Sequence, residues 1–263
     1  MSLENNPFKT GSISSQKEND LRNDFLSLFK QCPIPENKIM SNLGLFIKRQ
    51  DLSRILFMNE LYKKIIDIHG VIIVFGVRWG KDLALLESFR GIYEPFNHNR
   101  KIVGFDTFEG YPTISEKDSH DSFLGQDRQS DIVQTGSLSV TEGYVKYLEA
   151  ILDYHEKESP ISHIKKYELI KGDAIKTIEE YFEKTPETIV AFVYFDFDVY
   201  EPTKKCLEVI KKYVTKGTVL GFDELNYHHY PGVTIALKEV FGLNRYKIVR
   251  TQYSPLQSYI TID

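Results

Sequence analysis

The sequence predicts an α/β protein built on a mostly parallel sheet, with helices packed on both faces. Two observations lead there. From Asp51 onward, short apolar runs alternate with amphipathic stretches of helical period. Several of those runs also end in Gly or Asp just before a helical pattern begins, and parallel α/β sheets bind ligands in the crevice beyond the carboxyl ends of their strands. Size and composition agree. The chain has 263 residues, enough for a full core, and its 41% hydrophobic and 27% charged content is that of an ordinary globular protein.

In chain order, residues 1–20 are rich in Ser, Asn and Lys and are expected to form a loosely ordered tail. An N-terminal helical region over 21–70 is expected to pack on a main domain spanning 71–263. Within it, Leu52, Ile55, Leu56, Leu61, Tyr62, Ile65 and Ile66 recur at helical spacing, and Gly70 marks a stop. VIIVF (71–75) then reads as a buried strand. A helix over 81–90 and a strand over 101–105 follow. The acidic, polar stretch 114–136 is expected to be either a mobile loop over a site or a surface insertion. A helix over 142–155 precedes strands at 167–170, 189–196 and 218–222, each separated by a helix. Segments 246–250 and 258–262 have no helix between them, so they predict an antiparallel pair.

The formal net charge of −4 argues against a phosphate-tracking surface, and the scattered lysine pairs read as solvated helix faces. No nucleic-acid partner is expected. Cys32 and Cys206 lie far apart and outside any CxxC spacing, which indicates neither a zinc site nor a disulfide framework and makes a reducing, cytoplasmic setting the expectation. The N-terminus lacks the apolar stretch of a signal peptide, and no apolar run is long enough to cross a bilayer, so no membrane partner is expected.

Candidate site residues fall at the strand ends. The first strand runs into Phe75-Gly76-Val77-Arg78-Trp79-Gly80, where glycines let a ligand approach the backbone at a helix N-terminus. The second ends in Asp106, placed to accept from ribose hydroxyls or to cap the next turn. Asp173 could face an adenine amino group or cap its own helix. Asp196 and Asp198 end one predicted strand, and Asp223 and Glu224 end the next. If those strands are neighbours, four carboxylates meet in one crevice, which calls for raised pKa values or a cation. An all-oxygen set favours Mg²⁺, Mn²⁺ or Ca²⁺ over zinc. Strand alternation would put Asp196 and Asp198 on one face with Phe197 on the other. His228 and His229 read as surface residues sooner than ligands.

The strings GFDTFEGYP (104–112), YFDFDVYEPTK (194–204) and GFDELNYHHYPG (221–232) resemble the macrocin O-methyltransferase (TylF-like) family of antibiotic-sugar methyltransferases, from about Leu52 to the C-terminus. The resemblance implies a class I methyltransferase fold, Rossmann-like, with a seven-stranded sheet and an antiparallel last strand. It implies S-adenosylmethionine as donor, Mg²⁺ (or Mn²⁺) as cofactor and a sugar hydroxyl as acceptor. Position by position, it makes Asp196, Asp223 and Glu224 metal ligands and Asp198 the general base. Gly76, Gly80, Asp106 and Asp173 become donor-binding residues, with Thr107, Ala174 and Asp196 beside them. Val74 and Val233 stand where members commonly carry acids, which bears on donor binding and on the acceptor or metal site respectively.

A catechol-type methyltransferase and a binding-only relative remain alternatives. A carboxylate-pair hydrolase would leave the glycine turn and Asp106 without a task. The N-terminal helical region leaves room for a second subunit, as in a homo-oligomer.

Overall fold

Strands such as VIIVF and VAFVYF are apolar on both faces, which requires a helical layer on each side. A computed structural model describes residues 15–118 and 135–263 and contains both layers. The strands are β1 (Val71–Phe75), β2 (Ile102–Asp106), β3 (Tyr167–Lys171), β4 (Val190–Phe195), β5 (Val214–Phe222), β6 (Val249–Arg250) and β7 (Ser258–Thr261). The helices are α1 (Gln16–Lys30), α2 (Glu36–Ile39), α3 (Arg49–Lys64), α4 (Lys81–Tyr93), α5 (Tyr144–Glu158), α6 (Ala174–Lys184), α7 (Tyr200–Ile210) and α8 (Pro231–Val240).

The seven strands form one sheet in the order β3-β2-β1-β4-β5-β7-β6. β1 to β5 pair in parallel, while β7 runs antiparallel to both β5 and β6, as the missing helix between the last two strands predicts. The order reverses between β1 and β4, and a crevice opens beyond the carboxyl ends at such a switch point.

Side-chain alternation sorts the core into two halves. Ile73, Phe75, Val103, Phe105, Val193, Phe195, Leu220 and Phe222 face a cluster completed by α6, α7 and α8. Ile72, Val74, Ile102, Phe192, Tyr194 and Val219 face a second cluster completed by α3, α4 and α5. Val74 and Val233 are both buried within these clusters, so each side chain is committed to packing.

Three differences from the sequence expectations have physical causes. α1 starts inside the stretch expected as a tail, because Ser15 and Glu18 form a reciprocal capping box that satisfies its first N–H groups. The strand expected to run through Asp196 stops at Phe195, and Asp198 adopts a left-handed backbone with φ 63°. β5 begins at Val214, earlier than its apolar run, because Val214 already pairs in parallel with Val190 and the strand carries on through exposed Thr215 and Lys216.

Most of the stretch 114–136 lies outside the described residues. α1 and α2 bury none of their residues, and Leu21, Leu28, Met40 and Leu45 are exposed in this region. Among the described residues, no helix is long and apolar enough to cross a membrane.

Candidate active site

The site grows out of the sheet's alternation. Phe195 of β4 and Phe222 of β5 are Cα partners in the parallel register, so the residues that follow, Asp196 and Asp223, emerge side by side. Both continue the column of Phe192, Tyr194 and Val219 that faces α3. Phe197 turns the other way and packs its ring on Phe75 at 5.0 Å. Asp198 returns to the crevice through its left-handed turn, not through strand alternation.

Beside these acids, β1 ends in the glycine turn. Gly76 has φ +80°, and a Cβ there would lie 2.0 Å from the carbonyl oxygen of Asp196, so only glycine lets β1 and β4 approach this closely. Gly80, also left-handed with φ +76°, opens α4, where a Cβ would meet Leu148 at 2.2 Å.

The two sets share one cavity of about 450 Å³, within the usual range for small-molecule sites. Its lining includes Gly76, Asp106, Thr107, Asp173, Ala174, Asp196, Asp198, Asp223 and Glu224, so the strand-end residues singled out in the sequence converge. His229 lines it too, but Gly80, which packs against Leu148, does not, and neither do His228, Val74 and Val233.

Asp106 accepts from the backbone N–H of Arg78 at 2.7 Å and of Phe108 at 2.5 Å, tying the glycine turn to the end of β2. Burial outweighs these bonds and raises its pKa. Asp173 caps α6 by accepting from Ile175 N–H at 3.0 Å and also borders the cavity. Thr107 donates its hydroxyl to the carbonyl of Gly110 at 2.7 Å, bracing the turn that carries Tyr111.

The acids divide by the donors they receive. Asp223 Oδ1 accepts from Arg54 at 2.5 Å, from the Tyr194 hydroxyl at 2.5 Å and from the Gln257 amide at 2.7 Å. Burial pushes the Asp223 carboxyl up, but these donors more than offset it and hold it well below the usual range. Asp196 has Arg54 at 2.6 Å, and burial together with neighbouring Asp223 leaves its carboxyl well above the usual range.

Burial also raises Asp198, although Glu224 and the Tyr111 hydroxyl both bond to it and favour the carboxylate. Glu224 is pushed well above the usual range, first by burial and then by the charges of Asp198, Asp223 and Asp196. One of its oxygens, Oε2, is buried and makes no hydrogen bond to any described residue.

Asp196, Asp198 and Glu224 bring one carboxylate oxygen each within 4.8 Å of the others. That oxygen set, with a buried oxygen lacking a partner, fits a hard divalent cation. Asp223 sits beside the trio but is engaged by Arg54, Tyr194 and Gln257.

Arg54, Asp82 and Tyr111 also line the cavity, and none of them is expected from the sequence. Arg54 reaches in from α3, pairs with Asp82 in the first turn of α4 and spans to Asp196 and Asp223. Tyr111 donates to Asp198. Arg54 carries a readable signal, since it shares the buried stripe of α3 with Phe57, Met58, Leu61 and Tyr62, and a charge on such a stripe needs a partner.

The sheet order, the antiparallel β7 and the crevice at the β1/β4 switch define a class I methyltransferase fold. No protein-family model matches the chain, and no curated protein does. Among solved structures it is similar to CalS11, calicheamicin methyltransferase, at 35% identity and TM-score 0.88, over 99% of this chain and 98% of that one. The apo structure of CalS11, described as a TDP-rhamnose 3'-O-methyltransferase of calicheamicin biosynthesis, also aligns at 35% identity. Its TM-score is 0.80, over 95% and 96% of the two chains. The O-methyltransferase NovP shares the fold alone, at 17% identity and TM-score 0.57, over 80% of this chain and 79% of that one. The chain belongs to the family of sugar O-methyltransferases represented by CalS11.

Proposed function

We propose that the protein transfers a methyl group from S-adenosylmethionine to a hydroxyl of a nucleotide-linked deoxysugar, with Mg²⁺ (or Mn²⁺) bound at the acidic crevice. The observation that carries this is the shared cavity: the glycine turn and Asp106 line the same 450 Å³ space as Asp196, Asp198 and Glu224. The sugar class is supported by kinship with CalS11, whose substrate is described as TDP-rhamnose.

In this assignment the turn from Gly76 to Trp79 presents backbone to the donor, Gly80 supplies the left-handed bend that opens α4 behind it, and Asp106 accepts from the donor's ribose hydroxyls. Thr107, Asp173 and Ala174 border the adenine end. Asp196 and Glu224 would hold the cation, with Asp223 as the third ligand that the family resemblance implies. When bound, the cation lowers the pKa of the acceptor hydroxyl and fixes its direction.

Asp198 takes the hydroxyl proton as the oxygen attacks the methyl carbon in line, and the sulfur leaves with the electron pair of the broken bond. Tyr111, by donating to Asp198, fixes the direction in which that carboxylate accepts. Holding acceptor and donor in one cavity removes the entropic cost of their encounter, worth roughly 7–11 kcal/mol in the best intramolecular models.

Calorimetry of S-adenosylmethionine into chelator-treated protein, repeated with Mg²⁺ and with Asp196→Ala, tests the assignment. Micromolar donor binding, with Mg²⁺ binding lost in Asp196→Ala, is expected. No donor binding with or without Mg²⁺ would remove the methyltransferase assignment for this chain.

A further inference from the structure

Arg54 holds Asp196, one of the three acids gathered as an oxygen set, and Asp223, the neighbouring acid assigned to the cation above. Its Nε and Nη2 fork onto Asp82, at 3.1 Å to Oδ1 and 2.6 Å to Oδ2. Nη2 also donates to Asp196 Oδ2 at 2.6 Å, and Nη1 to Asp223 Oδ1 at 2.5 Å. One planar guanidinium therefore bridges the ends of β4 and β5 and ties them to α3 and α4.

The arrangement is specific to arginine, because a lysine ammonium has no fork with which to reach three carboxylates in a plane. The Tyr194 ring lies beneath the guanidinium at 5.2 Å and helps hold it over the strand ends. A divalent ion on Asp196 and Asp223 would meet this positive charge at close range in a buried setting, where repulsion is weakly screened.

We propose that Arg54 is a built-in counter-cation that neutralises the crevice in the metal-free protein and is displaced from Asp196 and Asp223 when a divalent ion enters. Its forked pair with Asp82 is the pivot, since Asp82 belongs to α4 and not to the strand-end acids. Arg54 is thus a positioning residue: it keeps the acids gathered before loading and lowers the apparent affinity for the metal by competing for two of them. Loading would also loosen α3, which is joined to these acids through Arg54. This inference rests on the metal assignment made above.

The test is a Mn²⁺ titration of the full chain, with free Mn²⁺ followed by electron paramagnetic resonance, on wild type, Arg54→Met and Arg54→Lys. Arg54→Met is expected to bind Mn²⁺ more tightly, within the roughly 5–150-fold span typical of coupled sites, with Arg54→Lys in between. Hydrogen exchange of wild type should show faster exchange across α3 on adding Mg²⁺. If Arg54→Met does not fold without metal, Arg54→Lys and the wild-type exchange data decide the matter.

Equal or weaker Mn²⁺ binding in the variants, or failure of every form to bind Mn²⁺, overturns the proposal. Mn²⁺ binding by Arg54→Met alone would make Arg54 a permanent occupant of the wild-type crevice and also overturns the proposed displacement. Donor binding measured by calorimetry in the same preparations reports separately on the methyltransferase assignment.

Discussion

Glu87 on α4 lies outside the cavity lining, so substituting it probes stability without touching the chemistry. Its side chain is buried, and neither carboxyl oxygen makes a hydrogen bond to any described residue. Nearby, Glu156 pairs with Arg90 at 3.0 Å and with Lys166, so the two cations that act on Glu87 are already engaged. Burial, aided by the charges of Glu156 and Asp153 and opposed by Arg90 and Lys166, pushes Glu87 up to about 8 from 4.5.

A carboxyl raised in the folded state contributes stability that is fully present below the unfolded pKa and lost as pH rises through the folded one. Each pH unit between the folded and unfolded pKa is worth roughly 1.4 kcal/mol, so about 5 kcal/mol separates the acid limit from the alkaline one. Between about pH 5 and pH 8 the loss from this group is roughly 3 kcal/mol, or roughly 6–12 °C in Tm for a chain of this size. Glu87→Gln keeps the shape and removes the charge. Thermal unfolding of both proteins across that range should show the variant gaining on wild type by this amount as pH rises. Parallel curves would refute the reasoning, because the other buried acids titrate alike in both proteins.

Other outcomes follow from the site. Asp198→Asn should lower kcat by roughly a hundredfold or more while leaving the donor Kd nearly unchanged, as single-turnover kinetics and calorimetry would show. Tyr111→Phe removes the donor to Asp198 and should cost roughly tenfold or more in kcat, with a smaller change in KM. Gly76→Ala places a methyl 2.0 Å from the Asp196 carbonyl and forces a left-handed alanine; it should abolish donor binding in calorimetry and lower Tm.

How much of the fold and site is legible in the sequence depends on the range of each signal. The parallel strands stand out because a strand covered on both faces must be apolar throughout, as VIIVF is. The antiparallel end is legible because 258–262 follows 246–250 with no helix to carry a crossover. Asp196 and Asp223 can be found because strand ends are where such sheets place ligands.

What escapes a reading of the sequence depends on contacts distant along the chain. Arg54 meets Asp196 and Asp223 across 142 and 169 residues, and nothing local in a helix names its partners. The left-handed turn at Asp198 is hidden because its DFD string also fits an extended strand. α1 is obscured by a polar composition that looks like a tail unless Ser15 and Glu18 are read as a capping pair. Val74 and Val233, which the family resemblance presents as acids missing from a site, are core residues whose side chains do not line the cavity.

The most direct test of methyl transfer is to incubate the protein with S-adenosylmethionine carrying an isotopically labelled methyl group, Mg²⁺ and a panel of nucleotide-linked deoxysugars and catechols, and to follow the label by mass spectrometry. Label on a sugar hydroxyl, absent with Asp198→Asn, is the expected result. Label on a catechol alone would contradict the sugar acceptor, and full transfer by Asp198→Asn would contradict Asp198 as the base.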